Sequence, residues 1–200
     1  AKVTIKVNPT NDPPVVGLIT APTGVVKVGY PVVVSATFSD PDVGDTPPDT
    51  HTAKWYWGDG SVSEGIFSDC QVTGEHVYQN AGVYRITLTV TDGKGATGSN
   101  VFRYVVIYDP NAGFVTGGGW IWSPESAYAA DTALAGKATF GFVSKYQKGT
   151  TVPTGNTEFQ FKAGNLNFHS TSYQWLVIAG AKAQYKGIGT INGTGEYGFL

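Results

Sequence analysis

The sequence predicts an all-β protein of two consecutive modules, and three observations carry that expectation. The first is strict alternation at residues 84–91: Tyr84, Ile86, Leu88 and Val90 fall on one face, Arg85, Thr87, Thr89 and Thr91 on the other. Period two with β-branched residues throughout fits a half-buried strand. The second is turn density, with 27 glycines and 11 prolines in 200 residues, set between short apolar runs. The third is the lack of an apolar stripe of helical period. The nearest is the short, Ala-rich run 126–134, which allows one turn. Hydrophobic residues make up 41% of the chain and aromatics 13%, enough to fill packed cores.

In chain order, residues 3–7 alternate like the last strand of a sandwich, and N-P-T-N-D-P-P at 8–14 reads as an extended linker. Residues 1–11 are therefore expected to be the terminal strand and linker of a preceding module in a longer array. Residues 12–109 form the first complete module, with strands near 15–19, 32–38, 53–57, 62–67, 83–90 and 101–108. Asp92-Gly93 turns the fifth of these into the sixth, so the two should pair as antiparallel neighbours. The insertion 45–52 should be an exposed loop stiffened by Pro47 and Pro48. After D-P-N-A-G at 109–113 the composition shifts, and residues 110–200 read as a Gly- and aromatic-rich β-domain. Its strands are expected at 114–122, 138–146, 158–162, 166–169, 173–178, 182–185 and 187–191. Asn192-Gly193 marks a type I′ hairpin. Another strand begins at 196–200, so this module is expected to be incomplete at its end. The strand spacing suggests a second antiparallel sandwich or a meander.

Two segments are more specific. W-Y-W-G-D-G-S at 55–61 is a short aromatic strand running into a turn, and H-V-Y-Q-N-A-G-V-Y-R-I-T-L-T-V-T-D at 76–92 leads into the alternating strand. In this order and spacing they resemble the PKD (polycystic kidney disease) repeat, an immunoglobulin-like β-sandwich of extracellular proteins. The resemblance covers the first half of the chain and implies its fold; such sandwiches host many unrelated roles. T-G-G-G-W-I, G-K-A-T-F-G-F and T-E-F-Q-F-K-A-G-N-L-N-F, in the second half, look like a β-module that accompanies PKD repeats in secreted bacterial proteins. No activity carries over from it.

Charge excludes several classes. The net charge is −2, with 7 basic and 11 acidic residues (−4) in 1–109 and 6 basic and 4 acidic (+2) in 110–200. That gives no electrostatic case for nucleic acid, and no apolar run is long enough to span a bilayer. Cys70 is the lone cysteine, so no internal disulfide forms, and a small buried or half-buried role is expected. Low Cys with no Met suits an exported prokaryotic surface protein. His51 is placed in an exposed loop, His76 in a local structural role and His169 at a strand end; none has metal-ligand spacing. No G-x-S-x-G is present, and Gly117-Gly118-Gly119 lacks a following Lys-Ser/Thr. The chain is read as no enzyme.

Two sets of residues are candidate sites. Asn11 and Asp12 in the entry linker, Asp40 and Asp42 after the second strand, and Asp92 after the alternating strand can meet at one pole of a sandwich. Hard oxygens with no Lys or Arg in those loops suit Ca²⁺; the other reading is Asp bonding turn backbones. Some PKD repeats bind calcium at corresponding positions, so the resemblance implies calcium as a cofactor held by Asn11, Asp12, Asp40, Asp42 and Asp92. Asp45 and Asp109 are weaker candidates. Trp120, Trp122, Tyr173, Trp175 and Tyr185 could form a sugar-stacking platform. The duller option is a core role, because Ile121 makes both faces of the Trp120–Trp122 strand apolar. The functional expectation is a structural or adhesion segment of a large extracellular modular protein, its joint stiffened by calcium. The alternatives are an ancillary carbohydrate- or protein-binding module of a secreted hydrolase, and a subunit of a surface layer or filament. Expected partners are neighbouring modules of the same or another chain, a polysaccharide or a protein surface.

Overall fold

The computed structural model describes residues 10–44 and 50–200. The strand expected at 3–7, most of the loop at 45–52 and the minor candidate Asp45 lie outside the described residues. The chain is all-β. It divides into two compact units, one built from residues up to Val105 and one from Val106 onward, with Gln79–Gly82 grouped with the second.

The first unit contains β1 (Val15–Val16), β2 (Val26–Lys27), β3 (Pro31–Ser39), β4 (His51–Tyr56), β5 (Val62–Glu64), β6 (Ile66–Ser68), β7 (Gln71–Val77), and all of β8 (Gly82–Asp92) and β9 (Thr97–Tyr108) but Gly82 and the last three residues of β9. They form a four-stranded sheet in the order β1-β3-β7-β6 and a five-stranded sheet in the order β2-β9-β8-β4-β5. Alternation does what it promised: Val32, Val34 and Ala36 of β3 face inward, opposite Ala53 and Trp55 of β4 and Ile86, Leu88 and Val90 of β8, all buried. Trp55 spans the gap between the sheets, its indole N–H donating to the Thr73 carbonyl of β7 at 3.1 Å. Gly74 makes room for that ring, since a Cβ there would lie 2.6 Å from it.

Three expectations change. The segment 62–67, read as one strand, is two strands in different sheets, broken at Gly65. That residue is wedged so that a Cβ would meet Ala53 at 2.8 Å. β7 was not expected at all, yet it is central in its sheet and pairs with β3 from Pro31↔Val77 to Thr37↔Gln71. Cys70 is exposed in the turn between β6 and β7.

In the second unit β10 (Phe114–Ser123), β11 (Gly136–Lys145), β12 (Thr154–Phe161), β13 (Leu166–Ala179), β14 (Lys182–Ile191) and β15 (Thr194–Phe199) form one six-stranded antiparallel sheet in sequence order. Of the two alternatives, the sheet is the meander. Segments 166–169 and 173–178 belong to the single strand β13, which carries register shifts at Ser170/Ser172 and Tyr173/Trp175. Asn192 and Gly193 both take positive φ (51° and 76°), as the type I′ hairpin between β14 and β15 requires. One face carries an aromatic cluster in which Phe142, Tyr185, Tyr173 and Phe199 meet edge-on or tilted.

Candidate functional site

The five oxygen-bearing residues predicted from the sequence do converge at one pole of the first unit. The 3-10 turn Pro41–Gly44 at the end of β3 brings Asp42 back so that its amide donates to Asp40 Oδ1 at 2.9 Å. Asn11 Nδ2 donates to Asp92 Oδ2 and the Asp12 amide to Asp42 Oδ2, each at 2.8 Å. Asp40, Asp42 and Asp92 are buried. Asp92 Oδ1 also takes the amides of Lys94 (2.9 Å) and Ala96 (2.8 Å), closing the turn into β9. Burial pushes the Asp92 carboxyl up, but the bonds from Asn11 and the amides of Ala96, Lys94 and Gly95 outweigh it and hold the group below its ordinary value.

Two basic groups at this pole were not foreseen. Lys94 Nζ lies 3.9 Å from Asp42 Oδ2, so the loops do carry a cation. His51 is not in an exposed loop: it opens β4, nearly buried, with Nε2 2.8 Å from Asp40 Oδ2. Its spacing from Asp40 across the insertion gave no local signal. Amides, His51 and Lys94 give Asp40, Asp42 and Asp92 partners within the chain. Among the described residues no group of three or more His, Cys, Asp or Glu side chains could hold a metal ion. One oxygen is left over: Asn11 Oδ1 is buried with no hydrogen-bond partner. Asp109 only caps its own turn, accepting from the Asn111 amide at 2.8 Å.

The aromatic turn forms a second cluster. Asp59 accepts from the Ser61 amide at 2.9 Å and lies 2.8 Å from His76 Nε2. His76 stacks on Trp57 at 4.9 Å, and the Tyr78 hydroxyl donates to the Trp57 carbonyl at 2.7 Å. Burial raises the Asp59 carboxyl, yet the bonds from Ser61 and His76 win and lower it overall. Ser, His and Asp are the residue types of a nucleophilic triad, but the geometry is wrong for one. Ser61 Oγ (3.2 Å) and Asp59 both meet Nε2, whereas a relay needs the carboxylate on Nδ1 and the hydroxyl on Nε2. The cluster locks a turn. His169 is half-buried, with Nδ1 3.4 Å from Glu158 Oε1.

The aromatic candidates separate. Trp120 (61% exposed), Ile121 (49%) and Trp122 (64%) all stand out from the surface, against the expectation of burial. The reason is position: β10 is an edge strand with one neighbour only. The register Trp120↔Thr139 and Trp122↔Lys137 puts both indoles on the face opposite Phe140 and Phe142, and Lys137 Nζ sits 5.0 Å from the Trp120 ring. Tyr173 does not join them. It is buried on the other face against Tyr185 and Phe199, its hydroxyl 2.6 Å from Thr157 Oγ1. Trp175 is half-buried opposite Lys186, and Tyr185 is half-buried in the same cluster as Tyr173.

The sequence matches the PKD domain family over residues 11–107. Those residues form a PKD domain. Among similar solved structures, the PKD domain of an M14-like peptidase from Thermoplasmatales archaeon SCGC AB-540-F20 is 24% identical with a TM-score of 0.41, covering 49% of this chain and 98% of that one. The PKD1 domain of Vibrio anguillarum Epp is 28% identical with a TM-score of 0.33, covering 49% of this chain and 99% of that one. A structure described as carbohydrate-binding modules of the β-sandwich superfamily is 21% identical with a TM-score of 0.40, covering 76% of this chain and 59% of that one. PKD domains are in general non-catalytic modules and are typically found in extracellular or secreted proteins. In this PKD domain the buried acids among the described residues, Asp40, Asp42 and Asp92, all lie at the carboxylate pole.

Proposed function

We propose that the chain is a non-catalytic structural segment of an extracellular modular protein, in which the PKD domain acts as a spacer. The observation that supports this is how the chain enters and leaves that domain. Residues 10–16 enter at the acidic pole, held by Asn11 to Asp92, by Asp12 to Asp42, and by Asn100 Nδ2, which donates to the carbonyls of Val16 (3.1 Å) and Gly17 (2.9 Å). β9 starts at that pole and runs twelve residues away from it, roughly 40 Å at strand rise. Load applied to the entry segment therefore falls on bonds that are part-buried across the sandwich. Force spectroscopy on tandem copies tests this: Asn100→Ala should lower the unfolding force, and an unchanged force would sink the spacer reading. Calcium at Asn11, Asp12, Asp40, Asp42 and Asp92 is a competing proposal for the same joint. An ion there would tie the entry linker to both turns, so it predicts a melting temperature that falls on chelation; no change would sink the calcium proposal.

A second reading, attachment to a polysaccharide, is favoured by the exposure of Trp120 and Trp122 on one sheet face beside Gln160 and Glu158. Exposed indole faces stack on sugar rings while amides and carboxylates bond hydroxyls. Retention on insoluble polysaccharide that is lost in Trp120→Ala and Trp122→Ala would support it; equal retention of both variants would end it.

A further inference from the structure

The described residues contain three sheets and so six sheet edges, and five of those edges are short. β1 and β2 have two residues each, β5 and β6 three each, and β15 has six, including Glu196. β10 has ten residues, F-V-T-G-G-G-W-I-W-S, with no charge and no proline. Its ladder to β11 runs through ten consecutive pairs with no bulge. Short length, charge, proline and bulges are what keep exposed edges from pairing with other chains, and β10 has none of them. Its apolar side chains Phe114, Trp120, Ile121 and Trp122 are exposed as well.

The sequence of β10 says what fits it. Apart from Thr116 against Trp120, the strand is palindromic in character about Gly118: aromatic, β-branched, Thr, Gly, Gly, Gly, then aromatic, β-branched, aromatic. We propose that β10 pairs antiparallel with β10 of a second copy of this chain about a two-fold axis at Gly118. In that register Phe114 lies opposite the other copy's Trp122, Val115 opposite Ile121, Thr116 opposite Trp120, and Gly117 opposite Gly119. Phe114 with Trp122 and Val115 with Ile121 place an apolar pair on each face at both ends of the contact, and only Trp120 meets a hydroxyl-bearing residue. The glycines leave the centre free of side chains, and the rings of Phe142 and Phe140 already cover Gly117 and Gly119 within the chain, where a Cβ would meet them at 2.7 and 3.3 Å. Moving the axis to Gly119 would set Trp122 against Thr116 and leave Phe114 without an aromatic partner, and moving it to Gly117 would set Trp122 against Ala112. This inference is independent of the spacer and polysaccharide readings.

Sedimentation velocity of the whole chain across micromolar to millimolar concentration tests the proposal. A concentration-dependent dimer is expected. Val115→Lys and Ile121→Glu should each weaken it by about tenfold or more, and the double variant, with opposite charges at the paired positions, should recover it. Thr116→Lys, at an exposed position away from any core, serves as a third disruptor should either other variant fail to fold. A monomer throughout, a dimer indifferent to all three single variants, or a double variant no better than its parents would overturn the assignment.

Discussion

Gly58 and Gly60 flank Asp59 and both take positive φ, 83° and 96°, yet they are not equivalent. A Cβ on Gly60 meets nothing, whereas one on Gly58 would lie 2.5 Å from the Arg85 carbonyl of β8. Gly60→Ala should therefore cost only the left-handed conformation, about 1–2 kcal/mol. Gly58→Ala adds a backbone clash and should cost roughly 3 kcal/mol or more; urea denaturation of the two variants reads the difference. Asp92 gives a prediction in pH. Its carboxyl lies below the ordinary value of 3.8 in the folded chain, so it contributes stability that is present above about pH 4 and is lost as pH falls through the folded value. Asp92→Asn should be less stable at neutral pH and should show a shallower decline between about pH 4 and 2. Parallel curves for the two proteins would mean that the turn amides and Asn11 do not hold the charge.

The strands show which signals travel through sequence alone. β3 and β8 were legible because each buries one face and wets the other, so the pleat is written in the residue types. β7 was not, because its inward positions are Val72, Gly74 and His76, and only the first is apolar. The glycine there serves the Trp55 ring, a contact no local pattern encodes. That coupling is measurable: Gly74→Ala should destabilise by about 1–3 kcal/mol, and much of that loss should vanish in a Trp55→Ala background, where the ring atoms nearest the new methyl are gone. Purely additive effects in the double-mutant cycle would refute the account. The pole was half legible. Asp in linker and turns announced the convergence, but Lys94 and His51, which satisfy it, become neighbours only when the sheets close. The exposure of Trp120 and Trp122 was hidden for the same kind of reason: an apolar strand reads as buried until the sheet order puts it on an edge.

At the scale of the whole chain, the two units solve the burial problem differently. In the PKD domain two sheets face each other, and Trp55, Ile86, Leu88, Val32, Val34 and Val72 are fully shielded between them. From β10 to β15 there is a single sheet, and its aromatic face keeps Phe140, Phe142, Phe168, Tyr185 and Phe199 only part-covered. A domain normally needs two packed layers to shelter such a face. Residues 10–108 and 110–200 can be compared as separate polypeptides. The first should unfold in one cooperative transition and ignore a hydrophobic dye. The second should melt broadly and bind the dye, because its rings meet water on the open face and gain less from folding. A sharp, dye-silent transition in 110–200 would mean that the aromatic cluster of Phe142, Tyr173, Tyr185 and Phe199 closes on itself well enough to serve as a core without a second layer.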